Sequence, residues 1–348
     1  MPARYHVRTE KRGAVLLDRL SRPLRDLRLS VTDRCNLRCT YCMPREIFGP
    51  DHQFLPKEMI LSYEEMTKLV KAISGLGLQK LRLTGGEPLL RKDLNLLIRM
   101  LRQELSEEMD IAMTTNGILL EKYADKLSKA GLNRVTVSLD SLDNDIFREM
   151  SDTKAEVSDV LDGIKAATDV GLSVKVNCVI RKGVNENQII PLVEHFRNSE
   201  VTLRFIEYMD VGNSNEWRLE EVIPASEMIA IINAKYPIKP LEAKYPGQVA
   251  KSWTYIDGGG EIGFITSVSE PFCGDCCRAR LSVDGHLYTC LFASKGTDLM
   301  NPLRQGLGEN ELAELTSKIW QKRDDRYSEL RGKIDQPQEK VEMSYIGG

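Results

Sequence analysis

Residues 27–42 read LRLSVTDRCNLRCTYC, a short β-rich run followed at once by three closely spaced cysteines. Residues 79–88 read QKLRLTGGEP, a second β-rich run that ends in a polar turn. Similar β-rich runs recur, with longer amphipathic stretches between them, at 110–114, 134–138, 172–180 and 201–208. Alternation of strand and helix is typical of a parallel sheet or a βα barrel. The six units predict an α/β fold with fewer units than the eight of a closed barrel.

The stretches between the runs have the pattern of amphipathic helices. Ser62 followed by Glu65 forms a capping-box pattern, which predicts that a helix begins there. Further helices are predicted near 91–104, 118–130, 155–170 and 186–197.

The pattern changes in the last third of the chain. Two hairpin-like pairs are predicted around the turns at 258–260 and 284–285, and a last helix near 309–323. We therefore predict two regions, a barrel at 19–237 and a C-terminal region at 238–348.

Composition excludes several kinds of partner. A formal net charge of −3 gives no basic surface for nucleic acid. No apolar run is long enough for a membrane helix, and residues 1–12 are too polar for a signal peptide. We expect a cytoplasmic protein without a membrane partner, in which the eight cysteines stay reduced. Seven of them form two groups, which indicates metal or redox chemistry.

Three strands carry cations that alternate with apolar residues. If the apolar residues pack on the helices, Arg82, Lys175 and Arg204 point to the interior of the barrel. Buried cations need an anionic partner, and three of them suit a polyphosphate or a carboxylate. The alternative is that they lie at strand ends and extend to water. Cys178 lies on the apolar face, where we expect it to serve packing alone.

The first cysteine group is Cys35, Cys39 and Cys42, in the loop after the first run. Three thiolates so close in the chain can hold three irons of a 4Fe–4S cluster. The fourth iron then has no protein ligand and can bind a substrate or cofactor, as an open zinc site does. The alternatives are a structural zinc site that includes His52, or reduced thiols without a metal.

The motif CNLRCTYC at 35–42 resembles the cluster motif of the radical S-adenosylmethionine (SAM) superfamily. The resemblance implies a partial (βα)6 TIM-like barrel with a 4Fe–4S cluster whose open iron binds SAM. It also implies cleavage of SAM to a 5′-deoxyadenosyl radical that abstracts a hydrogen atom. Tyr41 matches the aromatic residue beside the adenine. The turn GGEP at 85–88 resembles the superfamily motif that approaches the SAM amino group, so Gly86 and Glu87 are predicted SAM contacts.

Four cysteines lie between 273 and 290. We name Cys273, Cys276 and Cys290 the second cysteine group, and Cys277 is the fourth. Its spacing again supplies three ligands and lacks a fourth. From spacing alone, a zinc site completed by His286 or Cys277 is an equal alternative to an iron–sulfur cluster.

The segment FCGDCCRAR at 272–280 resembles one family of this superfamily, the GTP 3′,8-cyclases (molybdenum cofactor biosynthesis protein A). The resemblance covers residues 22–348. It implies a second 4Fe–4S cluster in the C-terminal region, held by the second cysteine group, with an open iron that contacts guanine. Cys277 falls where the family requires no ligand.

The same resemblance implies the remaining site residues. Ser138 and Met209 are further predicted SAM contacts, although Met209 alone would indicate ordinary packing. Arg278 and Arg280 are predicted catalytic residues; the alternative is a solvated charge pair. The C-terminal Gly347-Gly348 is predicted to insert toward the active site. The predicted GTP contacts are Arg28, Arg82, Thr114, Lys175, Arg204, Arg278, Ala279 and Arg280.

The resemblance implies a lyase that converts GTP to (8S)-3′,8-cyclo-7,8-dihydroguanosine 5′-triphosphate, the first step of molybdenum cofactor synthesis. The expected partners are GTP, an electron donor that the sequence does not identify, and the next pterin-forming enzyme, with the chain as a monomer or homodimer. Two alternatives are a radical SAM enzyme that acts on a peptide with an auxiliary cluster, and a non-catalytic, nucleotide-sensing module with two structural zinc sites.

Overall fold

The structure is a computed structural model that describes residues 15–333 and 339–347. Its framework within these residues is one twelve-stranded sheet. In chain order the strands are β1 Asp26–Ser30, β2 Lys80–Thr84, β3 Asp110–Thr115, β4 Arg134–Ser138, β5 Ser173–Ile180, β6 Thr202–Glu207, β7 Ile238–Pro240, β8 Lys251–Tyr255, β9 Glu261–Ile265, β10 Arg278–Leu281, β11 His286–Tyr288 and β12 Thr297–Asp298.

Strands β1 to β6 pair in parallel and in chain order, which confirms the six predicted βα units. Two further strands lie parallel to this set, β10 beside β1 and β9 beside β6. The antiparallel strands β11 and β12 continue one edge, and β8 and β7 continue the other. Because β9 and β10 do not pair with each other, the sheet stays open as a partial barrel.

The C-terminal hairpins do not form a sheet of their own. Each adds a strand to one edge of the barrel sheet, with Leu281 beside Leu29 at one edge and Phe264 beside Phe205 at the other. Sequence analysis identifies these hairpins but not their partners, because pairing across such long separations leaves no local pattern. The proposed division at residues 237 and 238 stays a prediction.

Helices between the strands cover the apolar face of the sheet. Leu81, Leu83, Val135 and Val137 are fully buried under them. No helix in the described residues could cross a membrane. The α-helices are α1 Tyr63–Ser74, α2 Leu94–Glu104, α3 Leu120–Lys129, α4 Asn144–Ser151, α5 Val157–Asp169, α6 Ile189–Phe196, α7 Ala225–Lys235, α8 Met300–Arg304, α9 Glu309–Gln321, α10 Tyr327–Leu330 and α11 Met343–Ile346.

Most predicted helices are confirmed, but sequence analysis misses α4, α7 and the short helices α8, α10 and α11. The first has only eight residues, about two turns, which is too short for a clear period. In the second, the buried residues Ala225, Met228 and Ile232 are interspersed with partly exposed Ile229 and Ile231, so its apolar stripe is diffuse.

The capping box at the start of α1 is confirmed. The backbone N–H of Glu65 donates to Ser62 Oγ at 3.2 Å, and the backbone N–H of Ser62 donates to Glu65 Oε2 at 2.7 Å. We expect Ser62→Ala to lower the free energy of unfolding by about 1 kcal/mol, because an orphan amide loses its acceptor. Urea denaturation would measure this. The matched control Lys68→Ala, exposed on the same helix, should change it by less than about 0.5 kcal/mol; equal effects would contradict the capping role.

A candidate active site between two cysteine groups

The polar face of the sheet encloses a cavity of about 240 Å³. Side chains from five strands line it: Arg28, Thr114, Ser138, Asn177 and Ile206. The curved sheet therefore surrounds an interior, and the strand alternation predicted from the sequence sets which side chains face it.

The first cysteine group lies after β1, at the C-terminal ends of the parallel strands. Its three thiols line a second cavity, of about 140 Å³. Burial raises the pKa of Cys39 well above its usual range, and negative charge on Cys35 or Cys42 would raise it further. The three thiols therefore lie near one another around this cavity, as ligands of one cluster must.

The zinc alternative for the first cysteine group finds no support. The ring of His52 packs between Phe48 and Phe54, at centroid distances of 4.7 and 4.8 Å, and does not line the cysteine cavity.

The GGEP turn packs directly on the segment that precedes Cys35. The backbone N–H of Gly86 donates to Thr32 O at 2.9 Å, and that of Glu87 donates to Arg34 O at 2.8 Å. A Cβ on Gly86 would lie 2.3 Å from Arg34 O. Glycine is required here because the two backbones approach too closely for any side chain.

Glu87 does not line either cavity. It is 1% exposed, and its carboxylate accepts hydrogen bonds from Thr115 Oγ1 at 2.8 Å and from the backbone N–H groups of Leu89 and Asn116. Burial raises the pKa of Glu87 to about 7. These contacts join the loops after β2 and β3, a positioning role that sequence analysis misses. Direct contact of Glu87 with SAM stays a prediction.

Five side chains line both cavities, so the cavities adjoin: Tyr41, Thr114, Ser138, Asp140 and Met343. Tyr41 donates from its hydroxyl to Asp140 Oδ2 at 2.6 Å. Asp140 also accepts from the backbone N–H of Val179, and burial raises its pKa to about 6. Sequence analysis does not identify Asp140, although its position just after β4, beside Ser138, is the signal that could have done so.

The second cysteine group lines the 240 Å³ cavity from the side where β10 begins. Cys277 does not line this cavity, because alternation at the start of β10 directs its side chain into a third cavity, beside Gly247. His286 also lies outside, with Nδ1 2.9 Å from Asp284 Oδ2. The arrangement favours Cys276, rather than its neighbour, as the third ligand beside Cys273 and Cys290.

Cys276 is held in a cationic environment. Burial alone would raise the pKa of its thiol, but Arg278 and Arg323 outweigh burial and lower the pKa to about 6. Arg278 Nη2 donates to Cys276 Sγ at 3.4 Å. Since the thiolate is the form that binds metals, this environment prepares Cys276 to be a ligand.

Two predicted GTP contacts carry unsatisfied buried donors. Within the described residues, Arg28 Nε and Arg280 Nη1 have no hydrogen-bond partner. Burial lowers the pKa of Arg28, and the charges of Arg280 and Arg278 lower it further. Buried donors and mutually repelling cations on one cavity wall are typical of a site for an anion.

A third cavity, of about 360 Å³, adjoins the first through Arg28 and Thr114. Arg82 and Arg204 line it, which confirms that they point inward. Arg82 Nη1 donates to the hydroxyls of Thr114 and Thr136, at 3.0 Å each.

Lys175 lies among the same cations. Burial lowers its pKa to about 7, and repulsion from Arg204, Arg134 and Arg82 adds to the effect. The interior of the sheet therefore collects positive charge from several strands.

Three other residues have distinct surroundings. Ala279 is fully buried in the hydrophobic core, so only its backbone could contact GTP. Met209 lines the 240 Å³ cavity, and its contact with SAM stays a prediction. Cys178 is fully buried in the core, as predicted.

The C-terminal tail reaches the GGEP turn. Ile346 is fully buried, and Met343 lines both the first and second cavities. A Cβ on Gly347 would lie 2.0 Å from Thr84 Oγ1 and 3.7 Å from the backbone nitrogen of Gly85. Gly348, part of the predicted tail, lies outside the described residues.

Two family models match the chain: the radical SAM superfamily at residues 29–196, and Molybdenum Cofactor Synthesis C at residues 201–329. Among solved structures, *Streptococcus suis* SuiB bound to S-adenosylmethionine is similar in fold. The TM-score is 0.60 at 15% identity, over 90% of this chain and 68% of that one. An open α/β barrel with three converging thiols beside the GGEP turn thus defines a radical SAM protein.

Curated relatives give the family. A GTP 3′,8-cyclase of *Staphylococcus haemolyticus* (strain JCSC1435) is 48% identical over 339 residues, which is 96% of this chain and 99% of that protein. A GTP 3′,8-cyclase of *Staphylococcus aureus* (strain JH9) is 48% identical over 335 residues, 95% of this chain and 98% of that protein. The chain belongs to the GTP 3′,8-cyclase family.

Membership of the radical SAM superfamily implies a 4Fe–4S cluster and SAM as cofactors. The residues present fit both groups. The first cysteine group supplies three soft ligands. The 140 Å³ cavity that these thiols line is also lined by Gly86, Ser138 and Tyr41, so it has room for a small molecule beside the cluster.

We expect Gly86→Ala to impair assembly of the first cluster, because the new methyl group would push the backbone before Cys35 out of place. Overpacking of this kind costs about 1–3 kcal/mol. The measurement is iron per chain after anaerobic reconstitution, with the second cysteine group replaced by alanine. Gly75→Ala is the matched control, because its Cβ would meet nothing closer than 3.8 Å. Equal iron in the two variants would contradict the requirement for glycine at 86.

Proposed function

We propose that this chain is a radical SAM enzyme that converts GTP to (8S)-3′,8-cyclo-7,8-dihydroguanosine 5′-triphosphate in molybdenum cofactor synthesis. One observation carries the proposal. Two cysteine groups, each with three thiols, open on adjoining cavities, and the cavity that the second group lines also carries buried arginines whose donors Arg28 Nε and Arg280 Nη1 have no hydrogen-bond partner in the described residues. The reaction is that of the family to which the chain belongs. The site offers the cluster ligands and the cations for a triphosphate that this reaction requires.

The interior cations bind the triphosphate of GTP in this proposal. Arg82, Lys175 and Arg204 repel one another in the interior of the sheet, so an anion of high charge relieves this repulsion. Arg28 and Arg280 offer donors that lack partners within the described residues. Fixing the phosphates fixes the ribose, and a fixed ribose keeps its C3′ hydrogen within reach of the reacting centre.

The second cysteine group holds a second 4Fe–4S cluster in this proposal. Cys273, Cys276 and Cys290 line the same cavity as Arg278 and Arg280, and no fourth cysteine of the described chain lines it with them. A cluster with three protein ligands keeps one iron free, and guanine is the ligand that the family assigns to that iron.

Cluster and SAM, when bound, supply the radical that removes the C3′ hydrogen before C3′ bonds to C8 of guanine. The residues of this chain hold SAM and GTP in position and exclude water. Tyr41 is held by Asp140 at the boundary of the two cavities, where both SAM and GTP would contact it. The C-terminal segment with Met343 and Ile346 covers the same boundary, which protects a radical from solvent.

Two further parts of the proposal rest on the reaction itself. A one-electron donor from outside the chain reduces the first cluster. The product passes to the next pterin-forming enzyme. Both steps are consistent with a cytoplasmic protein, as either a monomer or a homodimer.

The direct test is anaerobic incubation of the reduced protein with SAM and GTP. We expect 5′-deoxyadenosine and the 3′,8-cyclised nucleotide, with about eight irons per chain. Arg204→Met should lower kcat/KM about 10- to 100-fold, because a charged hydrogen bond to phosphate is lost. The control Arg99→Met, exposed on α2, should leave it unchanged. Formation of 5′-deoxyadenosine with a peptide but never with GTP would refute the proposal, and two zincs per chain would favour a structural module.

Affinity for GTP should fall as the pH rises from about 7.5 to 9. The pKa of Lys175 is about 7 without ligand, and a bound triphosphate raises it, so binding takes up a proton in this range. The groups that face Lys175 are Arg204, Arg134 and Arg82, which stay charged there. Calorimetric titration should show affinity falling by at most about tenfold per pH unit.

Lys175→Met should bind GTP more weakly and with a flatter pH profile. The control Lys165→Met, exposed on α5, should keep the wild-type profile. If the GTP affinity of Lys175→Met falls with pH as steeply as that of the wild type, the pH dependence belongs to another group.

A further inference from the structure

Two buried arginines hold the loops that carry the second cysteine group. Arg22 Nη1 donates to the backbone carbonyl of Cys273 at 2.7 Å. Arg323 Nη1 donates to the carbonyl of Cys276 at 2.6 Å, and its Nε donates to the carbonyl of Thr289 at 3.0 Å. Thr289 directly precedes the third cysteine, so all three ligand positions are touched at the backbone.

One buried carboxylate holds both arginines. Asp18 Oδ2 accepts from Arg22 Nε at 2.6 Å and from Arg323 Nη1 at 3.1 Å. Its Oδ1 accepts from the backbone N–H groups of Leu20 and Arg22. The three side chains are at most 1% exposed, so these ion pairs are little screened by solvent.

The arginines are also fixed by packing. Trp320, fully buried on α9, donates from Nε1 to the carbonyl of Arg22 at 3.0 Å. The guanidinium of Arg323 lies over the Trp320 ring, 4.5 Å from its centroid. The segment before β1 and the residues just after α9 thus meet behind the second cysteine group and form a rigid support.

An ordinary structural ion pair is the competing explanation. Such a pair need not favour any particular carbonyl groups. Here the two arginines donate to four backbone carbonyls, of Cys273, Cys276, Thr289 and Asp325, and three of these belong to a ligand or its neighbour. Arg323 Nη1 contacts the carbonyl of Cys276, and Asp325 Oδ2 lies 3.4 Å from Arg323 Nε, so the guanidinium places a positive charge beside a ligand position, where a negative cluster would be stabilised.

We propose that Asp18, Arg22 and Arg323 form a positioning brace for the second cluster. The brace fixes the three thiolates at the spacing the cluster needs, and the positive charge of Arg323 favours the reduced cluster. These are positioning residues that act through the cysteines. The inference rests on the proposed function in one respect: the second cysteine group binds a 4Fe–4S cluster.

The test uses full-length protein in which the first cysteine group is replaced by alanine, so that only the second cluster assembles. This protein is the parent in which each further substitution is made. Arg323→Gln removes the charge and at least one carbonyl contact, whereas Arg323→Lys keeps the charge but loses the forked geometry. The matched control is Asp324→Asn, next in the chain, whose carboxylate is 65% exposed and pairs with Arg19. Iron loss to a chelator and the midpoint potential from a redox titration followed by EPR are the readouts.

We expect a chelator to remove iron from both Arg323 variants about 10- to 100-fold faster than from the parent, because outer contacts orient the ligands. The midpoint potential should fall in Arg323→Gln and stay near that of the parent in Arg323→Lys. Arg22→Lys, which disturbs the support of Cys273, should also speed iron loss. Asp324→Asn should match the parent in both readouts.

The brace would be overturned if the arginine variants fold and show the same rate of iron loss and the same midpoint potential as the parent. Circular dichroism and thermal unfolding of the metal-free proteins check folding. If the variants of both arginines fail to fold without iron, Asp18, Arg22 and Arg323 stabilise the fold as a whole and the brace is overturned. A parent without iron would refute both the second cluster and the brace. A braced cluster in a protein that never cyclises GTP would refute the proposed function alone.

Discussion

Repulsion between cations on the inner face of the sheet is the constraint on which the site depends. Arg28, Arg82, Lys175, Arg204 and Arg280 come from separate strands; burial lowers the pKa of each, and at least one neighbouring cation lowers it further. Such a set is tolerated because the opposite face of these strands is mainly apolar and belongs to the hydrophobic core. The outer face therefore stabilises the fold, while the inner face stays poised for an anion.

Strand direction places the two cysteine groups at opposite ends of this interior. The first follows β1, whereas Cys273 and Cys276 precede β10, which lies parallel to β1. A five-residue strand spans about 16 Å, so the groups are separated by roughly the length of one strand. A nucleotide of extended shape can occupy that gap and approach both ends at once. The fold thus sets the separation of the two groups through the parallel pairing of β1 and β10.

Each cysteine group is supported by backbone contacts as well as by its own loop. The GGEP turn binds the segment before Cys35 through amide–carbonyl bonds, and Glu87 ties that turn to the next loop. Buried arginines support the second group in the same way, through carbonyl oxygens. Backbone support suits a cluster site, because it holds the ligands in place without competing for the iron.

The sequence by itself determined the six βα units, the capping box at Ser62, the two cysteine groups and the inward direction of Arg82 and Arg204, because each depends on a local period or spacing. Tertiary structure alone decided that the C-terminal hairpins extend both edges of the barrel sheet, and that Cys277 faces away from the cavity that Cys276 lines. It also brought Asp140 to Tyr41, and Asp18 to Arg22 and Arg323. The physical reason is that these pairings join residues far apart in the chain or depend on the rotation of one strand, and neither leaves a periodic trace in the sequence.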